Sequence, residues 1–230
     1  MEGSGASVPL NPAVPGVHRD VAIPPEPPEI GARSLYVASR LLAGASTFFF
    51  LAFVFAFFYL RLLNENGKWP LPAHVKPDHT LGAIVMACVV LSALLAIVAG
   101  RQMKAHARER TGGHSHGWLG PASASLLLGL AAVAVQCMQY VGAHFGPTDG
   151  GYASVFYGWT SLYLIAVLAT MYWLETQVAT ELRARRAPAA SHADIAEADR
   201  LIAPGLDAVV FFWSYLAGIG VVTWVCLYLV

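Results

Sequence analysis

Eight histidines are the first residues to weigh, because imidazole is the side chain that would hold haem or copper within a membrane bundle. They are His18, His74, His79, His106, His114, His116, His144 and His192. All fall in the N-terminal tail, in loops or at the edges of apolar runs. No redox metal site is therefore expected within the spans. His106, His114 and His116 share one basic loop, where the choice lies between a metal site and solvated imidazoles titrating near neutrality. The three cysteines, Cys88, Cys137 and Cys226, form no CxxC pair, which points to small hydrophobes rather than a zinc or disulfide framework. No nucleophile elbow or Gly-rich phosphate loop is present. The expectation is a chain with no catalytic, cofactor or metal-binding residue of its own.

The remaining polar candidates lie in apolar surroundings. The stretch "FGPTDGGYASVFYGWTSLYLIAVLATMYW", residues 145–173, opens as a Gly-rich turn and runs into an apolar helix bearing Tyr157, Thr160, Ser161 and Tyr163. With no histidine or carboxylate beside them, these side chains are expected to make helix–helix or helix–backbone hydrogen bonds. Gln136 and Gln139 lie one turn apart on one helix face, and their amides need partners in hydrocarbon. Arg40 and Glu175 are the charges deepest in the apolar runs. A lone charge there pairs or snorkels, so Arg40 is expected to meet Glu175, a lipid phosphate or a partner carboxylate. Arg33, Arg101 and Arg183, at the ends of runs, are placed to receive phosphate head groups. No chain of carboxylates crosses the apolar region, which weighs against a proton pump or ion transporter.

The elements that position these residues follow from composition. Of the 230 residues, 57% are hydrophobic and 12% charged, about half the charged share of a soluble domain. The fold class read from this is all-α: a polytopic membrane bundle of five helices, with spans at about 35–60, 81–103, 119–141, 155–178 and 208–230. Residues 1–33 hold seven of the fourteen prolines and read as an extended tail against the membrane surface or a partner. Residues 34–230 form the membrane domain. With the N-terminus inside, ten Lys and Arg lie in cytoplasmic segments and three outside. The positive-inside rule thus places the N-terminus in the cytoplasm and the C-terminus in the periplasm. Small residues at four-residue spacing, Ser92, Ala96 and Gly100, then Pro121, Ser125 and Gly129, offer close-packing faces. Seven phenylalanines between Phe48 and Phe58 surround most of the first span. One side must face lipid or a partner.

Several of these segments resemble subunit III of haem-copper oxidases in its five-helix bacterial form. In "YASVFYGWTSLYLIAVLATMYW", Phe156, Tyr157 and Thr160 match that family's fourth-helix pattern, while Ser161 replaces a glycine and Tyr163 and Ala166 replace histidines. "QCMQY" is similar to Gln-x-x-Glu-Tyr: Gln136 and Tyr140 match and Gln139 replaces the Glu. In the first span Ser39 matches and Arg40 replaces a Glu. In the last, Trp213 and Tyr228 are kept, while Ser214 and Ala217 replace His and Asp. The resemblance implies a non-catalytic subunit of a respiratory terminal oxidase in the bacterial inner membrane. Subunit I and other partner subunits would hold haem and copper and carry aerobic electron transport, with phospholipid bound among the helices of this one. The alternatives are an accessory subunit of a nitric oxide reductase and, from another class, a small membrane transporter or channel. The neutral or reversed positions turn the expectation away from proton collection.

Overall fold

A computed structural model of the chain describes residues 28–63, 69, 76–109, 117–186 and 192–230, with side chains described outside 28–29, 106–109 and 192–201. Among the described residues every regular element is helical: α1 Pro28–Leu62, α2 His79–Glu109, α3 Leu119–Gly142, α4 Gly151–Arg186 and α5 His192–Trp224, closed by a π-helical turn at Val225–Leu229. Among the described residues, five helices contain stretches long and apolar enough to cross a membrane. The chain is a multi-pass membrane protein.

Four helices run further than hydropathy suggests, α2 by six residues at its end, to Glu109. α1 begins at Pro28, inside the segment expected to be irregular. Proline suits the first turn of a helix, where its missing N–H has no partner to lose, and no further proline follows within α1. α4 starts at Gly151, directly after Gly150 with its φ of 148°, a conformation that glycine adopts freely. Its other end reaches Arg186, two turns beyond the apolar run. α5 begins at His192 and continues through Pro204. Its first turns are polar, so an apolar window misses them. α2 is capped by Asp78, whose Oδ1 accepts the backbone N–H groups of Thr80 at 2.7 Å and Leu81 at 3.4 Å, as an N-cap aspartate should.

Heptad spacing explains how the helices meet. The buried residues of α3 are Ala122, Ser125, Gly129, Ala132, Gln136 and Gln139, alternating steps of three and four. α2 repeats the pattern with Val89, Ser92, Ala96, Ala99 and Met103. This spacing keeps one seam facing a partner helix along its whole length. The small-residue face of α3 therefore runs through Ala122 and not the expected Pro121, which is half-buried. Gly129 accepts the Met171 side chain of α4, where any Cβ would collide with the thioether. α4 and α5 form the centre, with Phe156, Trp159, Trp213 and Leu216 wholly enclosed. α1 is peripheral. Phe50 and Phe57, two turns apart, point inward, and Phe53 stacks on Trp159 at 6.1 Å. Phe48 and Phe55 are 79% and 69% exposed, so the outer face of α1 is a bare aromatic surface.

Candidate functional site

The polar side chains collect where α2, α3, α4 and α5 converge, toward the end of the bundle that holds Asp78 and Tyr228. Gln139 is the hub. Its Nε2 donates to the Asp78 carbonyl at 2.9 Å, and its Oε1 accepts from Gln136 Nε2 at 3.1 Å and from Tyr228 OH at 2.9 Å. One amide thus links α3 to the cap of α2 and to the π-helical turn after α5. Tyr228 reaches Gln139 by lying across Gly82, where a Cβ would sit 2.5 Å from the ring. His79 meets the same ring edge-on at 5.7 Å.

A second cluster joins α3 to α4. Tyr140 OH donates to Thr160 Oγ1 at 2.7 Å and lies 3.4 Å from Ser161 Oγ, while Thr160 Oγ1 donates to its own helix at Phe156 O. Tyr157 OH donates to Phe145 O at 2.8 Å, fixing the loop before α4. Tyr163 OH donates to Leu216 O of α5 at 3.0 Å, and the ring fills the space left by Gly220. Each group sits where hydrocarbon would otherwise leave it unsatisfied. Thr160 lies nine residues into α4, about 14 Å along its axis.

Three interhelical hydrogen-bonded ties were not expected from the sequence. Ser92 and Ser125 bond reciprocally: Ser92 Oγ donates to Ser125 O at 2.6 Å and Ser125 Oγ to Ser92 O at 2.8 Å. Trp213 Nε1 donates to Ser92 Oγ at 3.1 Å, adding α5 to the clamp. Thr47 and Tyr215 share a hydrogen bond of 2.9 Å between α1 and α5. Serine and threonine look neutral in a hydropathy window, and only the facing helix gives them a role. Tyr152 OH, donating to Leu227 O at 2.6 Å, was missed likewise.

Of the contacts expected for Arg40, the one within this chain, Glu175, is not made. Arg40 lies on α1, and its guanidinium donates to Tyr36 O at 3.0 Å. The group stacks over the Tyr36 ring at 3.3 Å and the Phe211 ring of α5 at 4.4 Å. Glu175 is exposed on α4. The two helices present these side chains to different surroundings, and aromatic faces supply the cation's neighbours. The deeply buried carboxylate of α4 is Glu181, fully enclosed and paired with Arg185 one turn on. It lay past the end of the span expected from hydropathy. Lys104 and Asp207 pair α2 with α5 at 2.5 Å. Arg33, Arg101 and Arg183 are exposed at the same end of the bundle as Arg40. Cys226 is buried, Cys88 packs half-buried against the core and Cys137 is exposed on α3.

Among the described residues, no three His, Cys, Asp or Glu side chains gather as metal ligands would. His114 and His116, His18 and His74 lie outside the described residues, as do the side chains of His106 and His192. The arrangement holds helices together.

No protein-family model matches the chain. Its sequence is similar to cytochrome c oxidase subunit 3 of Pylaiella littoralis, with 29% identity over 126 residues, 54% of this chain and 42% of that protein. The match thus spans less than half the length of the relative.

Proposed function

We propose that this chain is a subunit III-like, non-catalytic component of a respiratory haem-copper terminal oxidase. It braces the catalytic subunit and binds phospholipid in a bacterial inner membrane, with its N-terminus cytoplasmic. The single observation that carries the reading is the coincidence of a subunit 3 relative with a five-helix bundle whose polar side chains serve interhelical contacts. Subunit I and the other oxidase subunits would hold the haem and copper. The bare aromatic face of α1, with Phe48 and Phe55 outward, supports a lipid or subunit contact there. Exposed Arg33, Arg101 and Arg183 at one end support head-group contacts.

The test is removal of the chain from its own cell. Membranes lacking it should begin oxygen consumption near the normal rate and lose activity faster during sustained turnover. The purified oxidase should also retain fewer tightly bound phospholipids. Oxygen consumption with an unchanged time course, or loss of a nitric oxide-reducing activity instead, would contradict the proposal. An unchanged lipid count would remove the lipid role alone.

A further inference from the structure

α1 leaves one side of itself uncovered, and that side has a register. Of its apolar span, 17% is buried within the chain, against 44% for those of α4 and α5. Small residues recur at every seventh position: Gly31, Ala38, Ala45 and Ala52. Three places after each alanine stands a large apolar residue, Leu41, Phe48 and Phe55 in turn, and Tyr59 and Leu62 carry the same spacing to the end of the helix. All eight positions from Ala38 to Leu62 are exposed. At about 100° per residue this line runs down the side of the helix opposite Ser39, Ala43, Phe50 and Phe57, which are buried against the bundle. The line is also open: a Cβ at Gly31 would meet nothing within 4 Å.

We propose that this line is a seam for a transmembrane helix of another protein chain, packed knobs-into-holes. Fluid acyl chains call for apolar residues but impose no spacing. Steps of three and four, alternating small with large, are what a facing helix requires. The alanines make depressions about 10.5 Å apart along the axis, each bounded by the large side chains on either side of it. The area is sufficient. An aromatic side chain carries about 150–250 Å², so Phe48, Phe55 and Tyr59, which are 79%, 69% and 51% exposed, present roughly 400 Å². Leu41, Leu62 and the flanking Val37, Leu51 and Phe58 are also exposed and bring the face to the order of 800 Å² that each partner gives to a specific interface. A second copy of this chain fits the seam badly. Every copy enters the membrane in one orientation, so two α1 helices would pack parallel. Their layers would set alanine on alanine and phenylalanine on phenylalanine, leaving the depressions empty, which close packing disfavours. The occupant is a helix of a different chain, with a large apolar side chain at the depth of each alanine. That this chain is another subunit of one complex rests on the function proposed above; the seam rests on α1 alone.

Photo-crosslinking of the full chain in its native membrane tests the seam, with a benzoylphenylalanine in place of Phe48 or Phe55. Phe49 and Phe58, exposed on α1 but off the line, are the control sites. Phe48 and Phe55 should both link to one other membrane protein, several-fold more than the controls do, and the linked peptides should map to a single apolar helix of it. Even yields at all four sites, lipid adducts alone, or an adduct of two copies of this chain would overturn the proposal. Ala45→Phe fills a depression on an exposed face. This variant should match the parent in far-UV circular dichroism and lose most of that partner on purification in mild detergent; full retention would refute the seam. If the unaltered chain travels with haem-bearing subunits while Phe48 and Phe55 link only to lipid, the seam is wrong and the subunit reading stands. If it travels with no other subunit, both fall.

Discussion

Replacing Ser92 with alanine isolates a buried polar contact that joins three helices. The hydroxyl donates to Ser125 O at 2.6 Å and accepts from Trp213 Nε1 at 3.1 Å, fully enclosed. Ser92→Ala removes both bonds with little change of volume. Ser125 Oγ keeps its bond to the Ser92 carbonyl, which is backbone. Interhelical hydrogen bonds in membranes are worth about 0.6 to 2 kcal/mol, and an abandoned buried N–H costs about 1 to 3 kcal/mol. Alanine regains part of this by shedding the serine's own desolvation. The expected loss is about 2 kcal/mol. Trp213→Phe removes the donor instead, so the double variant should fall short of the summed single losses by about 1 kcal/mol. Reversible unfolding of the purified chain in mixed micelles, followed by far-UV circular dichroism, measures all three. A Ser92→Ala protein as stable as the parent, or strictly additive losses, would refute the clamp.

Other perturbations read other contacts. Gln139→Leu severs the ties to Asp78, Gln136 and Tyr228 and should cost about 2 kcal/mol by the same unfolding assay. Gly220→Val places methyl groups against the Tyr163 ring and should destabilise by about 1 to 3 kcal/mol, with Gly218→Val, where nothing lies within 4 Å, nearly neutral. Arg40→Lys gives up a planar stack on Tyr36 and Phe211 and should cost about 0.5 to 1 kcal/mol; Glu175→Gln should leave stability unchanged. For topology, a cysteine at Asp149 should react with a membrane-impermeant thiol reagent in intact cells, after Cys137 is replaced. One at Ala189 should react only after permeabilisation, and the reverse pattern would invert the orientation.

The spans were legible because twenty-residue apolar runs need no partner information. Polar groups deep within them were legible as interhelical candidates for the same reason: hydrocarbon offers them nothing else. Legibility failed where the contact decides the outcome. Arg40 meets Tyr36 and Phe211 while Glu175 stays exposed on α4, and no spacing rule across two helices reports that. Ser92 was placed on a packing face as a small residue; its hydroxyl's role depends on Ser125 and Trp213, far away in sequence. Gln139 was singled out, while its partner Tyr228 depends on a π-helical turn that no apolar pattern signals. Glu181 and the polar start of α5 extend helices beyond the hydrocarbon, where hydropathy stops reading helix at all.

The central claim is that this bundle carries no redox centre and works bound to subunits that do. Affinity purification of the tagged chain in mild detergent, followed by an optical spectrum, tests it most directly. The account predicts haem absorption that travels with larger co-purifying subunits and disappears when a harsher detergent strips them from this chain. A colourless chain that purifies alone as a stable assembly, or haem that stays with the stripped chain, would contradict it.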